Sequence, residues 1–133
     1  MSQENVELAK RFNEVGQRDI EAAEDFVAED VVVMDFGTRL DTPPVVHGRT
    51  ELFGYYAQVA EMFDRYVREV DEWVDAGDWV IAVGRWVGKG TASGVPIEAK
   101  GVNAARWRDG KIVEYLLGFP TKEAALREVR RRE

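Results

Sequence analysis

The dipeptide Asp109-Gly110 stands between two runs in which apolar and polar residues alternate. This pair suits the tightest β-hairpin turn, because both central residues of that turn need a positive φ, which Gly and Asp tolerate best. The flanking runs, Ile97 to Arg108 and Lys111 to Phe119, are therefore predicted to be neighbouring antiparallel strands. This hairpin predicts an antiparallel sheet in the second half of the chain.

Another predicted strand pair precedes the hairpin, and the first half of the chain is mainly helical. Tyr66 to Asp75 and Trp79 to Val87 flank the turn residues Ala76-Gly77-Asp78. Upstream, apolar residues recur at helical spacing over Glu4 to Val15 and over Arg49 to Phe63. The other predicted elements are a short helix over Ile20 to Ala28 capped by Asp19, a strand over Val31 to Phe36, a loop over Gly37 to Val46, and a terminal helix over Lys122 to Arg131. Helices followed by hairpin-linked strands predict an α+β domain.

Length and charge narrow the class of protein. The 133 residues suit a single domain over 1–133, and 45% of them are hydrophobic, which is enough for a sizeable core. The 25 acids and 18 bases give a net charge of −7, so the surface repels nucleic acids and anionic membranes. No apolar run approaches the roughly 20 residues of a membrane span, and the polar start of the chain is unlike a signal peptide. We expect a cytoplasmic protein with no nucleic-acid or membrane partner.

The chain has no cysteine and one histidine, His47. Disulfides, thiolate nucleophiles, Cys-ligated metals and sites with several His ligands are thereby excluded. We accordingly predict neither a metal nor an organic cofactor. His47 is a candidate general base, but it has no charge partner visible in the sequence, which favours a structural role at the start of a helix.

Five segments together resemble the nuclear transport factor 2-like superfamily, and within it the SnoaL-like and ketosteroid isomerase-like branch. They are the Asp19-Ile20 helix start, Val31-Val32-Val33-Met34-Asp35, His47-Gly48-Arg49-Thr50-Glu51, Ala76-Gly77-Asp78-Trp79-Val80, and Gly101-Val102-Asn103 with Arg106 to Ile112. The resemblance implies a cone-shaped, cystatin-like α+β barrel, in which a curved and mainly antiparallel sheet wraps around N-terminal helices. It also implies a deep apolar pocket for a small apolar ligand.

The resemblance places Asp35 and Asn103 where the isomerase branch has its proton-shuttling base and an acid of its oxyanion hole. A carboxylate can take a proton from the carbon beside a carbonyl, and an amide NH₂ can donate to the enolate that forms. Phe12 stands where that branch carries a donating tyrosine, and a phenyl ring cannot donate. Two simpler roles stay open: Asp35 as a cap for loop amides, and Asn103 as a buried amide satisfied by the backbone.

Strand alternation within the implied cone predicts the pocket walls. If Asn103 points inward, Trp107 does too, and the resemblance puts Trp86 on the same side of the neighbouring strand. The predicted substrate-binding residues are Phe12, Tyr56, Trp86, Trp107, Tyr115 and Phe119. The opposite set is Trp79, Ile81, Val83 and Val87. An apolar stripe on the outer face of the sheet predicts a homodimer.

Two functions remain open from the sequence. The first is a cofactor-independent isomerase or cyclase that uses Asp35 and Asn103 to move a proton on a small apolar carbonyl substrate. The second is a non-catalytic module of the same fold that binds a ligand or only dimerises. The pairing of Asp35 with Asn103 favours the first, whereas Phe12 and the lack of an acid at Leu117 favour the second.

Overall fold

The structure, a computed structural model, describes residues 2–37 and 44–133. Four helices and six strands make up the fold of these residues. The helices are α1 (Ser2–Arg18), α2 (Ile20–Ala23), α3 (Arg49–Met62) and α4 (Lys122–Arg131); the strands are β1 (Val27–Asp35), β2 (Val45–His47), β3 (Phe63–Ala76), β4 (Trp79–Gly90), β5 (Pro96–Arg108) and β6 (Lys111–Phe119). Within the described ranges, no helix combines the length and the apolar content that crossing a bilayer requires.

Capping residues start two of the helices. The Asp19 carboxylate accepts hydrogen bonds from the first backbone amides of α2, and the Thr121 hydroxyl accepts one at the start of α4. Helix α2 is shorter than predicted, because a 3₁₀ turn over Glu24–Phe26 leads directly into β1. Strand β1 starts early, at Val27, which is fully buried and pairs with Ile112 of β6.

The sheet has the order β2-β1-β6-β5-β4-β3. Strands β1 and β6 are parallel and every other neighbouring pair is antiparallel. The predicted hairpin is confirmed, since Asp109 and Gly110 have φ values of 53° and 78° between β5 and β6. Strand β2 was expected to be loop, and residues 38–43 of that predicted loop lie outside the described residues. The α+β class with a curved, mainly antiparallel sheet is confirmed, although the sheet stays open at β2 and β3 rather than closing into a barrel.

A close approach of two strands bends the sheet. The register of β3 against β4 shifts between Val70 and Glu72. At this point, a Cβ on Gly84 would lie 2.0 Å from the Glu69 carbonyl oxygen, so only glycine lets the strands meet. Bulges of this kind increase the twist and bend of a sheet. Gly84 therefore contributes to the curvature that encloses the inner face.

The sheet is covered on both faces. Its inner face packs against α1, α2 and α3, and its outer face packs against α4. Buried side chains of the inner cluster include Val27, Val31, Leu52, Phe53, Trp107 and Ile112. Those of the outer cluster include Trp79, Ile81, Leu116, Phe119 and Val129.

The expected dimer stripe is part of the core of this chain. Trp79 and Ile81 do face outward, but they are only 2% and 0% exposed, because α4 covers them. Val83 packs against the same cluster. Helix α4 fits this face because Ala125 and Val129, one turn apart, are both buried. The prediction that Trp79 and Ile81 contact a partner is therefore wrong. Val83 and Val87, from the same predicted stripe, are half-buried, and homodimerisation stays a prediction.

Candidate functional site

A cavity of about 510 Å³ lies between helices α1 and α3 and the inner face of the sheet. This volume falls within the roughly 300–1,000 Å³ of typical small-molecule sites. Its aromatic lining consists of Phe12, Tyr55, Tyr56, Tyr66, Trp86 and Tyr115. A second compartment of about 40 Å³ has Phe12, Asn13, Arg68, Asn103 and Tyr115 in common with the first. The two compartments therefore meet at a group of mostly polar side chains.

Most of the predicted wall residues line these compartments, and Phe119 does not. Phe12, Tyr56, Trp86 and Tyr115 line the large one, and Trp107 lines the small one. Phe119 instead belongs to the outer cluster, where its ring stacks on Phe36 with the ring centroids 4.7 Å apart. The alternation along β6 fails after Leu117, because Gly118 has a φ of +81° and also lines the cavity. The placement of Phe119 by simple alternation was wrong for this reason.

Asp35 is both a turn cap and a cavity residue. It ends β1, and its Oδ1 accepts a hydrogen bond from the Gly37 amide at 2.8 Å. The half-buried side chain lines the large cavity. Among residues 2–37 and 44–133, the Gly37 amide is the one hydrogen-bond donor to this carboxylate. The other oxygen, Oδ2, accepts no hydrogen bond from these residues.

Gly118 brings Asp35 and Asn103 to the same place. The Gly118 amide donates to Asn103 Oδ1 at 3.1 Å. A Cβ on Gly118 would lie 3.0 Å from Asp35 Oδ1 and 2.6 Å from the Gly37 nitrogen. The two predicted catalytic residues thus flank one glycine and line one cavity. Sequence reasoning did not assign Gly118 a role, although a glycine inside a predicted strand is a sign of close backbone approach.

Asn103 and two tyrosines supply neutral hydrogen-bond donors. Asn103 is 6% exposed. Its oxygen accepts from the Gly118 amide, so its NH₂ group is the end that can donate to a ligand in the cavity. Burial raises the pKa of the Tyr115 hydroxyl, and Arg68, Tyr56 and Asn103 offset only part of that rise. Burial, with Tyr115 adding to the effect, raises the pKa of Tyr56 well above its ordinary value. Both phenols therefore keep their protons at neutral pH.

Arg68 is a buried cation that the sequence analysis missed. It lies on β3, is 5% exposed and lines both compartments. Its Nη2 atom donates to the carbonyl oxygens of Ala82 and Gly101 at 3.1 and 2.9 Å. The guanidinium carbon lies 5.5 Å from the centre of the Trp86 ring. The other terminal nitrogen, Nη1, is buried and has no hydrogen-bond partner in the described part of the chain. The sequence could have indicated this placement, because residues two apart on a strand share a face and Val70 also faces the small compartment.

The charge of Arg68 persists despite its burial. Burial lowers the pKa of the guanidinium, while Tyr115, Tyr66 and Asp71 act to raise it. An arginine has so high an ordinary pKa that it stays protonated in proteins. The cavity thus brings together the buried Arg68 guanidinium, the Asp35 carboxylate and the neutral donors of Asn103, Tyr56 and Tyr115, among other lining groups. His47 lies outside this group: it is exposed on β2, opposite Val32.

This arrangement is suited to proton transfer beside a carbonyl group. Asp35 supplies a carboxylate, and the donors from Asn103 and Tyr115 lie on the β5–β6 side of the same cavity. A base combined with fixed donors is what enolisation needs, because the donors stabilise the negative charge that develops on oxygen.

Solved structures with this fold come from several bacteria. A protein of Jannaschia, provisionally assigned as a SnoaL-like polyketide cyclase, has a TM-score of 0.76 at 20% identity, over 94% of this chain and 90% of that one. IdmH of Streptomyces antibioticus, provisionally assigned as a polyketide cyclase, has a TM-score of 0.72 at 24% identity, over 84% and 88% of the two chains. A ketosteroid isomerase-like protein of Catenulispora acidiphila, solved with trimethylamine, has a TM-score of 0.72 at 16% identity, over 85% of each chain. At these identities the likeness establishes the fold alone.

The family follows from the sequence match. No curated protein is similar enough in sequence to count as a relative. The sequence model of the SnoaL-like domain, however, matches residues 8–115. That range includes α1 from Leu8 onward, all of β1, α3 and β3 to β5, and the start of β6. It therefore contains both Asp35 and Asn103, along with Arg68. The chain belongs to the SnoaL-like domain family.

Proposed function

We propose that this chain is a cofactor-independent acid–base catalyst that moves a proton on a small apolar carbonyl compound. The observation that carries this proposal is that Asp35 and Asn103 flank Gly118 and line one cavity. Asp35 takes a proton from the carbon beside the carbonyl. The Asn103 NH₂ group and the Tyr115 hydroxyl hold the enolate oxygen, and Asp35 returns the proton to a different carbon.

The walls of the cavity support an apolar, ring-bearing substrate. Trp86 stacks on Tyr66 with the ring centroids 4.9 Å apart, and Tyr56 meets the edge of Phe53 at 5.4 Å. Such rigid aromatic surfaces bind flat apolar groups well. The provisional assignment of the Jannaschia and Streptomyces proteins as polyketide cyclases supports a carbonyl substrate of the polyketide kind.

The test is the exchange of hydrogen for deuterium beside a carbonyl. A panel of enolisable aryl ketones is incubated with the protein in D₂O, and the loss of the α-proton signals is followed by NMR. The wild-type protein accelerates exchange of at least one ketone. Asp35→Asn lowers the rate by about 100-fold or more, because a positioned base contributes about 100- to 10,000-fold.

Asp75 provides a matched control. Its Oδ1 accepts the Gly77 amide at 3.2 Å, as Asp35 accepts Gly37, but Asp75 is exposed at the β3–β4 turn. Asparagine keeps the acceptor oxygen at both positions, so both turns persist. Asp75→Asn keeps the wild-type exchange rate. If Asp35→Asn also keeps that rate, Asp35 is not the base.

The second candidate function is ligand binding without catalysis. Phe12 favours it, because its ring meets Tyr115 edge-on at 6.3 Å and brings no donor to the cavity. The side-chain oxygen of Asn103 also accepts a hydrogen bond from the backbone of β6, which is a structural role. Under this alternative, a ketone quenches the fluorescence of Trp86 while neither the wild-type protein nor any variant accelerates exchange.

A further inference from the structure

Arg68 has no counter-ion in the described part of the chain. The acids beside it on β3, Glu69 and Asp71, point to the other face of the sheet, where both pair with Arg85 at 3.1 Å. Asp35 lines the same cavity but forms no ion pair with Arg68. Burying a charge without a partner is unfavourable by several kcal/mol. A counter-charge supplied by a ligand would remove this penalty.

The guanidinium is held in a fixed position. Two backbone carbonyls accept hydrogen bonds from the Nη2 atom of Arg68, and the guanidinium carbon lies over the Trp86 ring. The backbone of Arg68 is also anchored, because Gln17 of α1 donates to its carbonyl oxygen at 2.9 Å. These contacts leave the buried Nη1 atom without an acceptor among the described residues. A fixed donor with no acceptor, on a side chain that lines a ligand-sized cavity, is a preorganised site for an anionic oxygen.

We propose that Arg68 anchors the carboxylate of the ligand, so that this cavity takes small carboxylic acids with an apolar, ring-bearing body. The carboxylate lies at the junction of the two compartments, and the body lies along Trp86 and Tyr56 towards Asp35. The proposal rests on the proposed function in treating the large cavity as a small-molecule site. It narrows the substrate class from carbonyl compounds in general to carbonyl compounds that carry an acid.

The test uses phenylacetate and phenylacetamide, which have nearly the same shape and differ in charge. Isothermal titration calorimetry gives Kd for each at neutral pH. The wild-type protein binds the acid about tenfold or more tightly than the amide, because a hydrogen bond to a charged group contributes about 1.5–3 kcal/mol. Arg68→Met abolishes this preference by weakening the acid alone. Lys100→Met, which removes an exposed cation at the same cavity, keeps the preference.

Equal affinity of the wild-type protein for acid and amide overturns the proposal, as does the absence of measurable binding of the acid. A preference that survives in Arg68→Met also overturns it. If Arg68→Met does not fold, Arg68→Lys is used, since it keeps the charge and loses the planar fork; the preference then falls without vanishing. Asp35→Asn keeps the preference for the acid while it loses exchange, so failure of the anion anchor and failure of the base appear in separate measurements.

Discussion

Replacing Gly118 with alanine tests how the site is held together. The residue has a φ of +81°, and a residue with a side chain at this φ destabilises the folded state by about 1–2 kcal/mol relative to glycine. The new Cβ would also lie 2.6 Å and 2.8 Å from the nitrogen and Cα of Gly37, so backbone must move. Overpacking of this kind lowers the free energy of unfolding by about a further 1–3 kcal/mol. Gly118→Ala therefore lowers the free energy of unfolding by about 2–5 kcal/mol in total.

Gly77→Ala separates the two contributions. Gly77 has a φ of +77°, and nothing lies within 4 Å of a Cβ built there. This variant loses only the backbone part, about 1–2 kcal/mol. Both free energies of unfolding are measured by urea denaturation with linear extrapolation. Equal losses in the two variants would refute the close approach of Gly118 to Gly37, and with it the account of how Asp35 and Asn103 meet.

Two further predictions concern α4 and its place on the outer face. Ile81→Ala lowers the free energy of unfolding by about 2–5 kcal/mol, because the side chain is fully buried beneath the helix; the same urea assay shows a change within about 0.5 kcal/mol for exposed Met62→Ala. For Glu128, burial raises the carboxyl pKa, but hydrogen bonds from Arg131 and Arg132 outweigh it, so the net pKa is lowered. The stability that Glu128 provides is therefore present above its unfolded pKa of about 4.3 and is lost as pH falls through the lower folded value. Urea denaturation at a series of acidic pH values shows a shallower decline for Glu128→Gln, and an unchanged decline contradicts the pairing.

Local signals predicted most of the fold. The Asp109-Gly110 turn and strict alternation fixed β5 and β6, because a hairpin needs only neighbouring residues. Strand β2 escaped prediction, since its three residues, Val45–His47, become a strand only by pairing with β1 from elsewhere in the chain. The sequence predicted a terminal helix over Lys122 to Arg131 but not the docking of α4 on Trp79. An apolar helix face shows that burial is needed without showing which surface provides it.

The candidate site was predictable only in part. The resemblance brought Asp35 and Asn103 together and put Trp86 on the side of the sheet where the cavity lies. Phe119 was misplaced because a single positive φ at Gly118 reverses the face of the residue that follows. Arg68 was missed because charged residues on a strand normally face solvent. Only the close approach of β3 to β4, together with the carbonyls of Ala82 and Gly101, gives the guanidinium a buried place.

The most direct test of the central claim is a crystal structure of the protein with an enolisable aryl ketone bound. The account predicts the ketone inside the large cavity, with its oxygen about 2.7–3.2 Å from the Asn103 amide or the Tyr115 hydroxyl. Its reacting carbon lies about 3–3.5 Å from the Asp35 carboxylate. A ketone bound elsewhere, or one that turns its carbonyl away from Asn103 and Tyr115, contradicts it.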